Sequence, residues 1–279
     1  MAQKQLDTLV EDIYSSLSNL SNNEPLDIDD ASIDQVGEAI KKVIKEWARP
    51  AERNKKFSLR MSNIGKPARQ LWFENKYERE DRAIAPHTFI KFLYGHLLEE
   101  IVLMLVRLAK HKVTDEQKEV EVSGIKGHID CKIDNEVVDI KSASGFSFAK
   151  FKNETLREDD PFGYIAQLTG YENAEGTNHG GLLVINKESG ELTLYRPEEL
   201  DKPVTRMMIE GLQRELKLDT PPPLCYDPVP DGSKGNMRLA RNCVYCPFKF
   251  KCFEDLRVFK YASLLLAQLV ERMGDVKAE

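Results

Sequence analysis

The spacing of apolar residues divides this chain into a helical beginning, an alternating middle and a mixed end. Residues Gln5–Leu20 place Leu6, Leu9, Val10, Ile13, Tyr14 and Leu17 at helical intervals, and Ser21-Asn22-Asn23-Glu24-Pro25 ends the run. A second stripe of Ile33, Val36, Ile40, Val43, Ile44 and Trp47 predicts a helix over Ser32–Trp47. Asp29, Asp30 and Ser32 offer capping oxygens before it, and Pro50 stops it. Residues 1–50 thus read as a helical appendage that packs on a main domain or on a partner.

The period changes further on. A long helix is expected over His87–Lys110. Glu119–Val122 and Ile129–Ile133 alternate in character, and Val137–Ile140 follows a polar turn at Asp134-Asn135-Glu136, so three strands are expected between Gln117 and Lys141. A helix over Pro161–Ala174, strands at Gly181–Lys187 and Glu191–Tyr195, and a helix over Asp201–Leu216 follow. That order predicts an α/β fold, a mixed central sheet flanked by helices on both faces, over residues 51–218. After the proline run Pro221-Pro222-Pro223, residues 219–279 form a cysteine-containing segment expected to end in a closing helix.

The chemistry is concentrated in the alternating middle. Strands joined by the Asp134–Glu136 turn set Asp130 beside Asp139, and Lys141, two residues on, shares the Asp139 face. Two carboxylates and an ammonium on one sheet face fit a hard divalent cation with a lysine acting on a water or phosphate beside it. The competing reading is a solvated face with an Asp/Lys cross-strand pair.

The pattern Gly127-His128-Ile129-Asp130, then Asp139-Ile140-Lys141, resembles the PD-(D/E)XK nuclease superfamily, and within it the RecB-type exonuclease branch. Two further elements appear in the branch's order. Phe89–Leu103 resembles the helix that carries the first metal ligand; counting from Gly95, the matching position is Glu99 and not His96. Gln167-Leu168-Thr169-Gly170-Tyr171 matches the branch's Q-x-x-x-Y signature. The resemblance spans Phe57 to Phe253 and implies a restriction-endonuclease-like αβββαβ core. It also implies Mg²⁺ or Mn²⁺ held by Glu99, Asp130, Asp139 and the Ile140 carbonyl, Lys141 stabilising charge, and Gln167 and Tyr171 on the nucleic acid. The function implied is a metal-dependent DNA exonuclease, acting on single-stranded ends in recombination, repair or DNA degradation beside recombination or replication proteins. A restriction-type endonuclease and a non-catalytic nucleic-acid-binding module remain alternatives.

A second constellation, Cys243-x₂-Cys246-x₅-Cys252 with Pro247 after the second cysteine, has the spacing of a loop wrapped round a metal centre. Some RecB-type nucleases carry a [4Fe–4S] cluster on three such cysteines and one earlier cysteine. Here the matching early segment, Leu59–Trp72, holds none, and Cys225 is the replacement fourth ligand. A [4Fe–4S] cluster, a structural Zn²⁺ on the four, or an empty relic loop stay open. Cys131 reads as a small buried thiol.

Charge and hydropathy narrow the setting. No apolar run approaches the ~20 residues that span a bilayer, which points to a protein with no membrane partner, and the resemblance implies a cytoplasmic enzyme of a bacterial or phage-infected cell. The net charge of −6 over 279 residues disfavours a wide non-specific DNA surface and leaves room for a local basic groove. Arg69, with Arg60 and Lys66 in the early segment, and Lys150, with Lys152 around Phe151, are the basic candidates for strand contact.

Overall fold

The computed structural model describes residues 4–49, 57–77, 85–233, 235–259 and 270–273. The chain gathers into two compact units: Met1–Gly65 with Arg79–Glu210, and Lys66–Glu78 with Gly211–Glu279.

In the first unit, helices α1 (Leu9–Ser21) and α2 (Asp30–Trp47) take up the two apolar stripes. The Asp29 side chain accepts from the Ser32 amide and caps α2; Pro50 lies outside the described residues. The stripe of α1 is core: Leu9 and Ile13 are fully buried with Val102, Leu103 and Val106 of α4 (Pro86–Leu108) and Cys131, Val138, Ile140 and Leu183 of the sheet. No residue of α2 is buried, and its Trp47 indole donates to the Phe89 carbonyl of α4. The membrane expectation concerns apolar length alone: among the described residues no helix is long and apolar enough to cross a bilayer.

The central sheet has five strands in the order β1 (Val113–Thr114), β4 (Cys131–Ile133), β5 (Glu136–Ala143), β6 (Gly181–Asn186), β7 (Leu192–Tyr195). Only β5 and β6 run parallel. Their crossover carries α5 (Gly145–Lys152) and α6 (Tyr164–Glu175), which cover the face opposite α1 and α4. Helices on both faces of a mixed sheet bear out the expected architecture. Because β5 is covered on both sides, its Val137–Ile140 run is buried without interruption, and a carboxylate sits inside it.

Three local expectations are corrected. Glu119–Val122 (β2) does not join the central sheet; it pairs with Ile125–His128 (β3) as a two-stranded ribbon, turned by Ser123 and Gly124, both at positive φ. The hairpin after β4 turns on Asp134 and Asn135, both left-handed, so Glu136 already belongs to β5. The crossover helix begins at Tyr164, not Pro161, because the Asp160 carboxylate accepts the amides of Gly163, Tyr164 and Ile165 and fixes the first turn there. The later helix, α7, runs Thr205–Glu215.

The second unit joins an early helix to the chain's end. Trp72 and Phe73 of α3 (Ala68–Lys76) are buried with Phe248, whose ring stacks on Phe73 at 5.7 Å, and the Trp72 indole donates to Leu218 O. Short helices α8 (Arg241–Val244) and α9 (Lys249–Cys252) carry the cysteine motif. Strands β8 (Val229–Pro230), β9 (Met237–Arg238), β10 (Arg257–Phe259) and β11 (Val270–Met273) make a small antiparallel sheet. The closing helix expected at the end falls largely outside the described residues, and Val270–Met273 within that stretch is strand.

Candidate active site

The β4–β5 register pairs Cys131 with Val138, so the next step of the ladder sets Asp130 against Asp139. The Asp130 Oδ2 accepts the Ile140 amide at 2.7 Å. Asp139 is 1 % exposed; its Oδ2 lies 2.5 Å from Lys141 Nζ, and its Oδ1 has no hydrogen-bond partner. A buried carboxylate oxygen left without a donor is costly unless a cation completes it. The Lys141 ammonium also lies 5.3 Å over the ring of Tyr164, the first residue of α6.

Glu99, on α4, is held by a 3.0 Å hydrogen bond from the Gln117 amide. Burial, then the charges of Glu100 and Asp139, push Glu99 up to about 7. Burial and then Asp139 raise Asp130 well above the ordinary carboxylate range. Burial pulls Lys141 downward, but Asp139 and Asp130 outweigh it and hold the ammonium above its ordinary value. The three carboxylates therefore share one electrostatic neighbourhood with Lys141. That donor set, all hard oxygen with one orphaned lone-pair acceptor, suits Mg²⁺ or Mn²⁺. As they stand, no three His, Cys, Asp or Glu side chains among the described residues are gathered closely enough to hold an ion. His96, also on α4, is exposed.

Gln167 and Tyr171 lie one turn apart on α6, and the Gln167 amide donates to the Tyr171 hydroxyl at 3.1 Å. Tyr171 is buried, and burial pushes its hydroxyl up to about 12 against the opposing hydrogen bond. Two glycines explain how this helix approaches the ribbon. A Cβ on Gly127 would fall 2.5 Å from Met61 Cβ and 2.8 Å from Tyr171 Cε1, and one on Gly170 would fall 2.5 Å from Met61 Sδ. Met61, fully buried, fills the space that both leave.

The two basic candidates both have partners, and Lys150 lines one cavity together with Lys141 and Tyr164. Arg69 donates to Cys252 Sγ and to Pro222 O in the second unit, and Lys150 is paired with Asp159 at 2.5 Å. Sequence reasoning passed over Gln117 and Tyr164. Tyr164 stands three residues before Gln167, a helical interval that could have marked it; nothing near Gln117 signals its bond to Glu99.

In the second unit Cys225, Cys243, Cys246 and Cys252 line one small cavity with Arg69 and Phe73. All four are free thiols, as is buried Cys131 in the sheet. Burial raises Cys225 and Cys246, and burial followed by the other three thiols pushes Cys243 up to about 11. Soft donors whose ionised forms oppose one another suit a cationic group that would relieve the repulsion.

No family model and no curated protein matches this chain. Among solved structures it is similar to the crystal structure of SSO0001, at a TM-score of 0.37 and 18 % identity over 77 % of this chain and 95 % of that one. It is similar also to an alkaline exonuclease, LHK-Exo, from Laribacter hongkongensis, at 0.36 and 12 % over 56 % and 89 %. A phage-related exonuclease from Haemophilus somnus 129PT stands at 0.32 and 12 % over 58 % and 91 %. Likenesses of this degree do not assign an activity.

Proposed function

We propose that this protein is a divalent-metal-dependent deoxyribonuclease that hydrolyses phosphodiester bonds at single-stranded DNA ends, with Glu99, Asp130, Asp139 and the Ile140 carbonyl as ligands. The observation that carries the reading is the buried Asp139, ion-paired to Lys141 on one oxygen and unpartnered on the other, beside two carboxylates with raised pKa. A bound Mg²⁺ or Mn²⁺ supplies Lewis-acid neutralisation of the phosphate and makes water a better nucleophile. Lys141 stays protonated, so it contributes positive charge to the developing transition state and not a base. The Tyr164 ring beneath it limits where that charge points. Asp130, by holding the Ile140 amide, fixes the peptide between Asp139 and Lys141. Gln167 and Tyr171, coupled to each other, order the strand or the site from α6.

The four cysteines of the second unit would hold a [4Fe–4S] cluster or Zn²⁺ that staples the C-terminal segment, with Cys225 as the fourth ligand. Incubating end-labelled single-stranded DNA with the protein in Mg²⁺, Mn²⁺ or EDTA tests the central reading. Metal-dependent loss of label from an end supports it, and no cleavage under any metal rejects it.

A further inference from the structure

A second feature of the first unit has no part in the acid cluster. Between the Ser58–Ser62 stretch and the β2–β3 ribbon lies an open cleft of about 560 Å³. Its polar lining is made of hydrogen-bond donors: the Arg60 guanidinium, the Lys126 ammonium, the His128 ring and the hydroxyls of Ser58, Ser62 and Tyr171. No carboxylate lines it among the described residues. In a chain of net charge −6, such a surface is a local exception.

The cleft is built and not an accident of loose loops. Asn63, itself buried, accepts the Arg60 amide at 2.9 Å and donates to Ser58 O at 3.1 Å, which fixes the loop that presents Arg60. Gly127 brings the ribbon into contact with Met61 and Tyr171. Along the ribbon, Val120 and Ile125 face inward while Lys126 and His128 stand out, their side chains 61 % and 57 % exposed. Arg60 is exposed and carries no ion pair among the described residues. Its neighbourhood also leads to the chemistry: Gly127 and His128 run directly into Asp130, and Tyr171 on the cleft wall feels the charges of Asp139 and Asp130.

We propose that this cleft binds the phosphodiester backbone of a single DNA strand and delivers it to the Asp130–Asp139–Lys141 cluster, with Arg60 and Lys126 contacting phosphates. The delivery rests on the nuclease reading; the binding does not. Two carboxylates of β2 oppose it: Glu119 pairs with Lys126 at 2.7 Å and with His128 at 3.8 Å, and exposed Glu121 stands directly across the ribbon from Lys126. An ion pair this exposed is weak, and a phosphate can displace it.

The test is fluorescence anisotropy with labelled oligo-dT of about 16 nucleotides, titrated in EDTA across salt concentrations. The double variant Arg60→Ala/Lys126→Ala is expected to bind at least tenfold more weakly at low salt, and its log–log salt slope should fall by about 1.4, two single-strand phosphate contacts. Glu119→Gln is expected to shift affinity the other way, which a merely structural role would not produce. Lys41→Ala/Lys42→Ala, on exposed positions of α2, is the control and should leave both quantities unchanged. Unaltered thermal midpoints establish that the variants fold. A double variant with wild-type affinity and slope overturns the cleft assignment, as does a loss seen only with duplex of the same length. Wild-type protein that binds oligo-dT through the cleft yet cleaves nothing in Mg²⁺ or Mn²⁺ would sink the nuclease reading and leave the cleft standing.

Discussion

The carboxylate of Asp130 holds the amide of Ile140, 2.7 Å away, so the residue entering one strand fixes the peptide that separates Asp139 from Lys141 in the next. The two acidic positions are therefore not interchangeable. Asp130→Asn keeps an acceptor for that amide while removing the charge, whereas Asp130→Ala removes both. Both variants are expected to lose Mg²⁺-dependent cleavage, and Asp130→Ala should in addition lower the thermal midpoint, because a buried amide loses its partner at about 1–3 kcal/mol. Cleavage assays and thermal unfolding on the pair separate the two effects. Near-normal turnover in Asp130→Asn would remove it from the site.

Lys141→Ala should reduce kcat by about 10²-fold or more with DNA affinity largely kept, since the ammonium acts on charge that develops in the transition state. Steady-state kinetics decide: a rise in KM with kcat unchanged would make Lys141 a phosphate-binding residue.

Metal binding should release protons. Glu99 is raised from 4.5 to about 7 and Asp130 is raised as well, so near neutral pH the metal-free site holds protons that a cation must displace. Mg²⁺ affinity is therefore expected to climb as pH rises through about 7 and to weaken below it. For the metal-free protein the sign is opposite: Glu99 contributes stability that is fully present below about 4.5 and lost as pH rises through about 7, and Asp130, also raised, acts in the same direction. Calorimetric titration of Mg²⁺ in two buffers of different ionisation enthalpy counts the protons, and a count of zero contradicts the assignment.

A buried histidine clamps the first helix to the sheet. His111 lies between Asp12 of α1 at 3.0 Å and Asp134 of the β4–β5 turn at 2.6 Å, with its side chain wholly enclosed. His111→Ala takes a hydrogen-bond partner from both carboxylates, though Asp12 keeps Lys4 and Thr8, and a loss of about 1–3 kcal/mol in unfolding free energy is expected, with the cleavage rate below the new midpoint unchanged. Urea denaturation measures it. A change under 1 kcal/mol would make the clamp a surface-like pair.

The cysteine set has its own expected signature. Cys225→Ser, Cys243→Ser, Cys246→Ser and Cys252→Ser should each lose bound iron or zinc and lower the thermal midpoint, while Cys131→Ser, in the sheet core, should keep full metal. Metal and sulfide content per chain, on protein purified without oxygen, is the measurement. Full content in Cys225→Ser would call for a different fourth ligand.

The placement of Asp130, Asp139 and Lys141 was legible because strand period alone sets it: alternation puts Asp139 and Lys141 on one face, and a short polar turn sets Asp130 alongside. The partner of a strand is not so encoded. Glu119–Val122 looked like a third sheet strand, but local alternation does not say that Ser123-Gly124 would fold it back into a ribbon of its own. Helix α5 was missed for a related reason. Phe146, Phe148 and the following Phe151 mix both periods, and burial of Phe148 and Phe151 against the sheet decides the matter. The α1 stripe announced its helix but not that Leu9 and Ile13 would enter the central core, which depends on contacts with residues distant in sequence, from Val102 of α4 onward. The partners of Arg69 and Lys150 were not legible, since nothing local foretells Cys252 or Asp159.

The second unit unites residues 66–78 with residues after 210, and this sets a timetable for synthesis. When α3 leaves the ribosome, the chain that covers Trp72 and Phe73 has not yet been made; Phe248 follows at ~5–20 residues per second, on the order of ten seconds or more later. Until then two large aromatic side chains wait on a nascent chain whose first unit becomes complete only when Glu210 has emerged. Release of a product truncated before Phe248 would make that wait permanent. Such fragments should be chaperone clients and aggregate, even when they extend past Glu210 and hold every residue of the acid cluster.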